Sequence, residues 1–147
     1  MTFDHKHAKL TLMKSMIYIL GFVLSFSAAA TDCQLQLVTK GPDGTDYLAS
    51  SALKLSDIQS ETLGELKKKN YKLSADAKNT ITIASADITY DRPLRMLESY
   101  FLIDIQTEKQ NLSEEGHGRG LSQRYADKKA LQEALKKVIS NLYKCDF

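Results

Sequence analysis

The segment SYFLIDIQTE, from Ser99 to Glu108, alternates strictly between two sets of side chains. One set is Ser99, Phe101, Ile103, Ile105 and Thr107, and the other is Tyr100, Leu102, Asp104, Gln106 and Glu108. Successive side chains of a strand point to opposite faces of a sheet, so this pattern predicts a strand with one face in the core. A turn at residues 108–111 then predicts a return strand from Leu112 to Arg119, which completes a hairpin.

The preceding segment predicts another long strand with one irregularity, because it is dense in β-branched residues. Ile81 and Ile83 occupy one phase of the alternation, whereas Ile88 and Tyr90 occupy the other. A bulge within residues 84–87 would return both pairs to the core face.

Two segments have the spacing of amphipathic helices. Ser56 and Gln59 form a capping-box pattern at the start of the first helix, and Asn70 suits its exit. The residues expected to face inward from this helix are Ile58, Thr62, Leu63 and Leu66. In the second helix, an apolar stripe at i, i+4, i+7 and i+11 is formed by Leu131, Leu135, Val138 and Leu142.

Shorter segments complete the predicted architecture. Cys33–Thr39 and Tyr71–Ser74 read as strands, and Tyr47–Leu55 reads as a further short strand or as an irregular approach to the first helix. We therefore expect an α+β fold in a single small domain, residues 31–147. The sheet is expected to be mainly antiparallel, with about four to five strands and two helices packed on one face.

Four features occur in order over about residues 56–142: LGELKKKNYKL at Leu63–Leu73, the long hairpin strands, GHGRG at Gly116–Gly120 and a final alanine-leucine helix. In this pattern the chain resembles a group of bacterial periplasmic envelope-assembly domains. The group includes the N-terminal domain of TolB and the periplasmic domains of the curli secretion protein and of the penicillin-binding-protein activator LpoB. The resemblance implies a binding or assembly module and brings no catalytic residues.

Residues 1–30 have the features of a secretory signal peptide. A positive residue, the apolar run Met16–Phe26 and a small-residue site ending at Ala30 follow one another. We expect cleavage near Ala30 and a periplasmic or extracellular location, with an uncleaved anchor as the alternative. Because Met13 and the lysine after it also fit as the start of a leader, residues 1–12 read as an over-extended gene start.

Removal of the leader changes the charge balance. The full chain has 20 basic and 18 acidic residues, a formal net charge of +2, and the leader accounts for that surplus. A protein that binds nucleic acid needs a basic surplus to neutralise phosphates, so we expect no nucleic-acid partner. We also expect no membrane span in the mature chain.

The two cysteines, Cys33 and Cys145, stand near the two ends of the predicted domain. In an exported chain, an even cysteine count indicates disulfide pairing, and here only one intramolecular pair can form. The sequence therefore predicts a bridge that places the first strand beside the end of the last helix.

The segment GHGRG at residues 116–120 is the most site-like part of the chain. Its His117 is the only histidine after the leader, and Glu114 and Glu115 precede it. Three glycines would let the backbone approach a ligand closely, and Arg119 could bind a carboxylate or phosphate. These four side chains form a candidate ligand loop. The alternative is that the glycines let a strand end and turn into the last helix. No metal-ligand spacing is evident, and we expect no cofactor.

Tyr100 and Leu102 form a candidate interaction face. If helices cover only one side of the sheet, these side chains are exposed on the other side, beside Tyr90 or Ile81 depending on register. An exposed apolar and aromatic sheet face indicates a partner surface. The alternatives are dimerisation on this face and coverage by Tyr47–Leu55.

Two further patterns have simple explanations. Asp43–Asp46 is oxygen-rich like a calcium loop, but it lacks the further acidic ligands, and Pro42 with its neighbours is sufficient as turn chemistry. Lysine clusters at 67–72 and 128–137 could meet anionic lipid or cell-wall carboxylates, whereas a solvated helix face explains them without a partner.

Together these features predict a small exported envelope module that binds a protein or cell-wall partner without catalysis. A secreted inhibitor or effector acting on a foreign protein is one alternative, and a small hydrolase is another. Ser122 and Asp127 lie near His117 in the sequence, but a catalytic triad is defined by geometry, which this spacing does not provide. The oligomeric state is unknown from the sequence.

Overall fold

The computed structural model describes residues 33–91 and 94–145, without the side chains of residues 85–87 and 91. The predicted leader lies outside the described residues. The described residues form five strands and two α-helices: β1 (Gln34–Val38), α1 (Leu55–Leu66), β2 (Lys72–Leu73), β3 (Thr80–Asp91), β4 (Met96–Gln106), β5 (Asn111–Gly120) and α2 (Gln123–Ser140). A 3-10 turn, Lys67–Lys69, extends α1.

The strands form one mixed sheet in the order β2-β1-β3-β4-β5. The antiparallel part is the meander β3-β4-β5, whereas β1 runs parallel to both β2 and β3. The α+β class, the five strands and the two helices agree with the prediction. The pairing of β1 with β2 is parallel because a crossover that contains α1 joins them, and such a crossover returns the chain in the same direction. Strand β3 runs in that direction too and pairs with the other side of β1.

The predicted bulge is confirmed in β3. Its register against β4 shifts between Ser85 and Ile88. Before the shift, Ile81 and Ile83 are fully buried, and after it Ile88 lies opposite the buried Ser99. The extra residue therefore returns Ile88 to the phase of the core face, as a bulge does. The prediction was wrong for Tyr90, which shares this phase but is 56% exposed.

The core lies between the sheet and the helices. From β4 it contains Phe101, Ile103 and Ile105, all fully or almost fully buried. The helices contribute Ile58 and Leu66 from α1 and, from α2 and the residues after it, Leu131, Leu135, Val138 and Leu142. These are the positions that the strand alternation and the helical stripe predicted.

Two local predictions were wrong. Helix α1 begins at Leu55 after Lys54, whose backbone N–H donates to Asp57 Oδ2 at 3.1 Å, so Ser56 is not the cap. Leu63 is 37% exposed rather than inward. Of the two alternatives for Tyr47–Leu55, the irregular approach is the one observed, because turns and bends lead into α1, which begins at Leu55.

The exit from α1 is as predicted. Asn70 adopts the left-handed conformation with φ of 61°, which asparagine tolerates better than most residues. This turn also meets the C-terminal end of the domain, because Asn70 Nδ2 donates to the carbonyl of Cys145 at 3.1 Å.

Candidate functional site

The glycine-rich segment lies within strand β5 and not in a loop, which corrects the predicted ligand loop. Its glycines face α2. A Cβ built on Gly116 would lie 2.0 Å from the carbonyl oxygen of Ala130, and one built on Gly118 would lie 2.0 Å from that of Ala126. The glycines are therefore required for close packing of a helix on a strand, and the backbone they bring close is that of α2.

Alternation along β5 divides the four predicted ligand residues between two faces. Glu115, His117 and Arg119 are exposed on the sheet face away from the helices. Glu114 is half-buried and opposite Ile103, in the phase of the helix-covered face. The structure therefore brings three of the four residues together and removes the fourth.

The register of β4 against β5 joins these residues to the other predicted surface. His117 lies opposite Tyr100, Glu115 opposite Leu102, and Arg119 opposite Glu98. We call these six residues the outer patch. The two candidates that were separate in the sequence form one surface on neighbouring strands, and Glu98 joins them although the sequence did not single it out.

Side-chain contacts hold the outer patch in place. The rings of Tyr100 and His117 stack with centroids 4.8 Å apart and an interplanar angle of 29°. Glu98 Oε1 lies 3.2 Å from Arg119 Nε, and Glu98 Oε2 lies 3.7 Å from His117 Nε2. The Tyr100 hydroxyl donates to Glu98 Oε2 at 3.4 Å. Glu98 is thus the common partner of the aromatic and basic residues.

The patch remains accessible despite these contacts. The side chains of His117 and Arg119 are 44% and 39% exposed, and Leu102 is 36% exposed. Desolvation raises the pKa of the Tyr100 phenol, and the charge of Glu98 adds to the effect. Tyr100 therefore stays a neutral hydrogen-bond donor throughout the physiological pH range.

The neighbours predicted for Tyr100 and Leu102 on β3 were wrong. Tyr90 lies opposite Leu97, three residues along β4 from Tyr100, and Ile81 is buried opposite Ile105. Leu102 instead lies opposite Ala84. The shift in register at the bulge sets these pairings.

Tyr47–Leu55, the segment considered as a cover for the outer patch, contacts α2 instead. Gln123 Nε2 donates to the carbonyl of Ser50 at 2.6 Å. Ser51 Oγ and the backbone N–H of Ala52 donate to Asp127 at 3.0 and 2.7 Å. These contacts hold the end of the segment on the helix side of the sheet.

Asp127 is a polar core residue that the sequence analysis did not identify. It is fully buried and also accepts a hydrogen bond of 2.6 Å from Ser99 Oγ on β4. Its carboxylate therefore links a loop, a helix and the sheet. The sequence does contain a signal for its burial, because Asp127 lies four residues before Leu131 and so falls on the apolar stripe of α2.

The residues considered for a hydrolase do not converge. Asp127 faces the core, whereas His117 lies on the opposite face of the sheet. Ser122 caps α2, its hydroxyl accepting from the backbone N–H of Tyr125 at 3.4 Å. These three side chains serve separate structural roles.

The open edge of the sheet at β5 is partly covered by side chains of α2. Lys137 Nζ donates to the carbonyl of Glu115 at 3.0 Å and lies 2.7 Å from Glu133. Its hydrogen bond is the main cause of the lowered pKa of Glu133, and the backbone of His117 contributes to the same effect. Charged side chains on an edge oppose pairing with another strand. Lys137 and Glu133 therefore oppose the pairing of a further strand with this part of β5.

The predicted disulfide is present between Cys33 and Cys145, whose Cα atoms are 5.6 Å apart. A backbone hydrogen bond lies beside each cysteine. The N–H of Lys72 donates to the carbonyl of Cys33 at 2.9 Å, and the N–H of Cys145 donates to the carbonyl of Lys69 at 3.3 Å. The start of β1 and the end of the domain are side by side, as expected.

The oxygen-rich segment Asp43–Asp46 uses its carboxylates within its own turns. Asp43 Oδ1 accepts from the N–H of Thr45 at 3.0 Å, and Asp46 Oδ1 accepts from that of Leu48 at 2.9 Å. Hydrogen bonds from Thr45 lower the pKa of Asp43. Over residues 33–91 and 94–145, no group of three or more His, Cys, Asp or Glu side chains is placed to hold a metal ion.

Lysines from the predicted clusters pair with nearby carboxylates. Lys68 lies 2.6 Å from Glu65 within one helical turn, and Lys128 of α2 lies 2.9 Å from Glu61 of α1. A solvated and paired helix face therefore accounts for these two lysines.

In the part of the chain that the structure describes, no helix is long and apolar enough to cross a membrane. No protein-family model matches the chain. A search of curated proteins also finds no match.

Proposed function

We propose that this chain is a small exported envelope module that binds a partner protein through the outer patch and does not act as an enzyme. The observation that carries the proposal is the convergence of Tyr100, His117 and Arg119 with an exposed leucine on one sheet face. Tyrosine and arginine are enriched among the residues that dominate binding energy at protein interfaces. The patch lies across two neighbouring strands, which suits a macromolecular surface.

The contacts within the patch also favour binding. Contacts with Glu98 and the Tyr100–His117 stack already restrict the side chains of Tyr100, His117 and Arg119 before a partner binds. These side chains therefore lose less rotamer freedom on association. A long side chain that is immobilised at an interface costs about 0.5–1.5 kcal/mol. Prior ordering of the patch reduces that cost, and the exposed edge of Leu102 supplies apolar area to bury.

The disulfide supports the exported part of the proposal. Disulfides persist in the periplasm and outside the cell, and they are rare in the reducing cytosol. The Cys33–Cys145 bridge joins positions 112 residues apart and closes the whole domain. A protein with this feature fits the compartment to which the predicted leader would send it.

Recovery of a partner from cells tests the role of the outer patch. We expect the tagged full-length chain to recover a reproducible envelope protein and the double variant Tyr100→Ser/Leu102→Ser to recover at least about tenfold less, since truncation of central interface residues typically costs more than 1 kcal/mol each. Leu63→Ser is the matched control, because Leu63 is 37% exposed on α1, close to the 36% of Leu102. Thermal unfolding by circular dichroism checks that both variants are folded. Equal recovery by the double variant and the control would contradict the proposal.

Fractionation distinguishes the envelope module from a secreted inhibitor or effector. The proposal predicts that the processed chain is retained with envelope material. Accumulation of the same chain in the medium, with no envelope partner, would favour an effector that acts on a foreign protein.

A further inference from the structure

Strand β1 has an open stretch along the side on which β2 lies. Strand β2 has only two residues and pairs with Gln34 and Leu35, at the start of β1. The N–H of Ser74, just after β2, donates to the carbonyl of Leu35 at 3.0 Å. The carbonyl of Ser74 then accepts from the N–H of Ala77 at 3.5 Å, so the chain turns away from β1. Beyond Leu35, the described residues leave this side of β1 without a neighbouring strand, and we call the open stretch, residues 36–38, the β1 gap.

The backbone of Leu37 lies in the middle of the β1 gap. Successive residues of a strand direct their N–H and carbonyl groups toward opposite neighbours in the sheet. The N–H of Gln36 donates to the carbonyl of Asn79, just before β3, at 2.8 Å, so the N–H and carbonyl of Leu37 point away from β3. At the far end of the gap, the carbonyl of Thr39 accepts from the N–H of Tyr47 at 3.0 Å. Among the described residues, no backbone hydrogen bond reaches Leu37 from this side, which leaves one donor and one acceptor available.

A cavity of about 250 Å³ lies beside this backbone, between the edge of the sheet and α1. Leu37 and Leu73 form its apolar part, and both are half-buried against the core. The side-chain amides of Gln36 and Gln59 also line the cavity, and an amide can both donate and accept hydrogen bonds. All six residues that line the cavity are uncharged: Gln36, Leu37, Gln59, Leu73, Ser74 and Ala75.

From this arrangement we propose that the β1 gap binds an extended peptide segment of a partner protein, which adds to the sheet beside β1. The N–H and carbonyl of Leu37 are the pair of groups with which a sheet edge binds an incoming strand. Alternate side chains of a strand point to the same face, so one apolar side chain of the segment enters the cavity and contacts Leu37 and Leu73. The amides of Gln36 and Gln59 are placed to bond to polar groups of the same segment.

The length of the β1 gap favours a short segment over a second copy of this chain. From Leu35 to Thr39 the backbone extends about 13 Å, at about 3.3 Å per residue, and this chain occupies the neighbouring position at both ends. The long edge strand that a second copy could offer is β5, which has ten residues. Lys137 and Glu133 at its edge oppose such pairing. The gap shares no residue with the outer patch, so this proposal and the proposed function fail independently.

Peptide selection tests the proposal. The processed, disulfide-bonded chain is immobilised, and a phage-displayed library of random linear peptides is the probe. We expect the enriched peptides to alternate apolar and polar residues, as a strand with one side chain in the cavity requires. Fluorescence anisotropy then compares the Kd of an enriched peptide for the parent and for Gln59→Trp, whose indole would fill the cavity. The variant should bind at least about tenfold more weakly, since burial of one apolar side chain can account for a factor of that size.

Ser56→Trp is the matched control, because Ser56 is also exposed on α1 but does not line the cavity. This variant should bind the peptide as the parent does, and thermal unfolding checks that both variants are folded. Amide exchange followed by NMR gives a second measurement, in which the bound peptide should slow the exchange of the Leu37 N–H. The proposal is overturned if the parent enriches no peptide, if Gln59→Trp binds as well as the parent, or if the exchange at Leu37 does not change. It is also overturned if Gln59→Trp instead abolishes self-association in gel filtration, which would assign the gap to a second copy of the chain.

Discussion

Gly118→Ala tests whether β5 and α2 are packed backbone to backbone. The new methyl group would lie 2.0 Å from the carbonyl oxygen of Ala126 and 2.5 Å from the backbone nitrogen of Ala130, whereas ordinary contacts begin at 3.4 Å. Both obstructing atoms belong to the main chain, so no rotamer change relieves the clash. Strand and helix would have to separate by roughly 1.4 Å, which also disturbs the core around Phe101.

We expect this substitution to lower the free energy of unfolding by about 1–3 kcal/mol. Overpacking a core costs about 1–3 kcal/mol and occasionally more, and the rigid backbone contact favours the upper part of that range. Replacing glycine lowers the entropy of the unfolded chain, which offsets about 0.4–1 kcal/mol of the cost. Urea unfolding followed by circular dichroism gives the change from the shift in midpoint at constant slope.

Gly64→Ala is the matched control. Gly64 is exposed within α1, and a Cβ built there meets nothing within 4 Å. Since alanine is favoured over glycine in a helix by about 1 kcal/mol, this variant should be more stable than the parent. The two substitutions should therefore have opposite signs. If Gly118→Ala is as stable as the parent, the glycines are not needed for helix packing, and their explanation as a ligand-approach segment becomes the better one.

Two further predictions concern stability. Reduction of the Cys33–Cys145 bridge should lower the free energy of unfolding by up to about 4–5 kcal/mol, because the bridge closes a loop of 112 residues in the unfolded chain. Urea unfolding with and without a phosphine reductant measures this change. Coincident unfolding curves would show that the bridge does not stabilise the domain. Asp127→Ala should lower the free energy of unfolding by about 3 kcal/mol, because it leaves the donors of Ser51, Ala52 and the buried Ser99 without their acceptor. Thermal unfolding measures this loss, and an unchanged midpoint would mean that water replaces the carboxylate without loss of stability.

The sequence predicts the hairpin strands well because their side chains alternate between two environments. From Ser99 to Gln106 in β4, the polarity of each residue indicates which face of the sheet it occupies. In β3, the change of phase between the apolar residues predicts the bulge that is observed. The parallel pairing of β1 has no comparable signal. Strand β2 has only two residues, and its partner is fixed by the path of α1 over the sheet.

The candidate site was predicted in parts but not as a whole. Tyr100 with Leu102 and the His117 segment were each recognised from their own patterns. Their contact depends on the register between β4 and β5, which the hairpin turn fixes when Thr107 N–H bonds to the Gln110 carbonyl. No feature of either strand alone specifies that register, and for the same reason Glu98 gave no signal.

The glycines of β5 show a different limit. A glycine run permits close approach of any backbone, and the sequence does not say whether that backbone belongs to a ligand or to the same chain. The alanines at 126, 130 and 134 of α2 supply the matching flat helix face. The spacing of Gly116 and Gly118 against these alanines identifies the partner only once the helix is placed on the strand.

Site-specific crosslinking in cells tests the central claim that the outer patch binds a partner protein. A photo-crosslinking residue replaces Leu102 in the full-length, exported chain, and a second version carries it in place of Leu63 on α1, a side chain of nearly equal exposure. We predict a discrete envelope-protein adduct from position 102 and no such adduct from position 63. The same adduct from both positions, or an adduct from position 63 alone, would contradict the assignment of the outer patch as the binding surface.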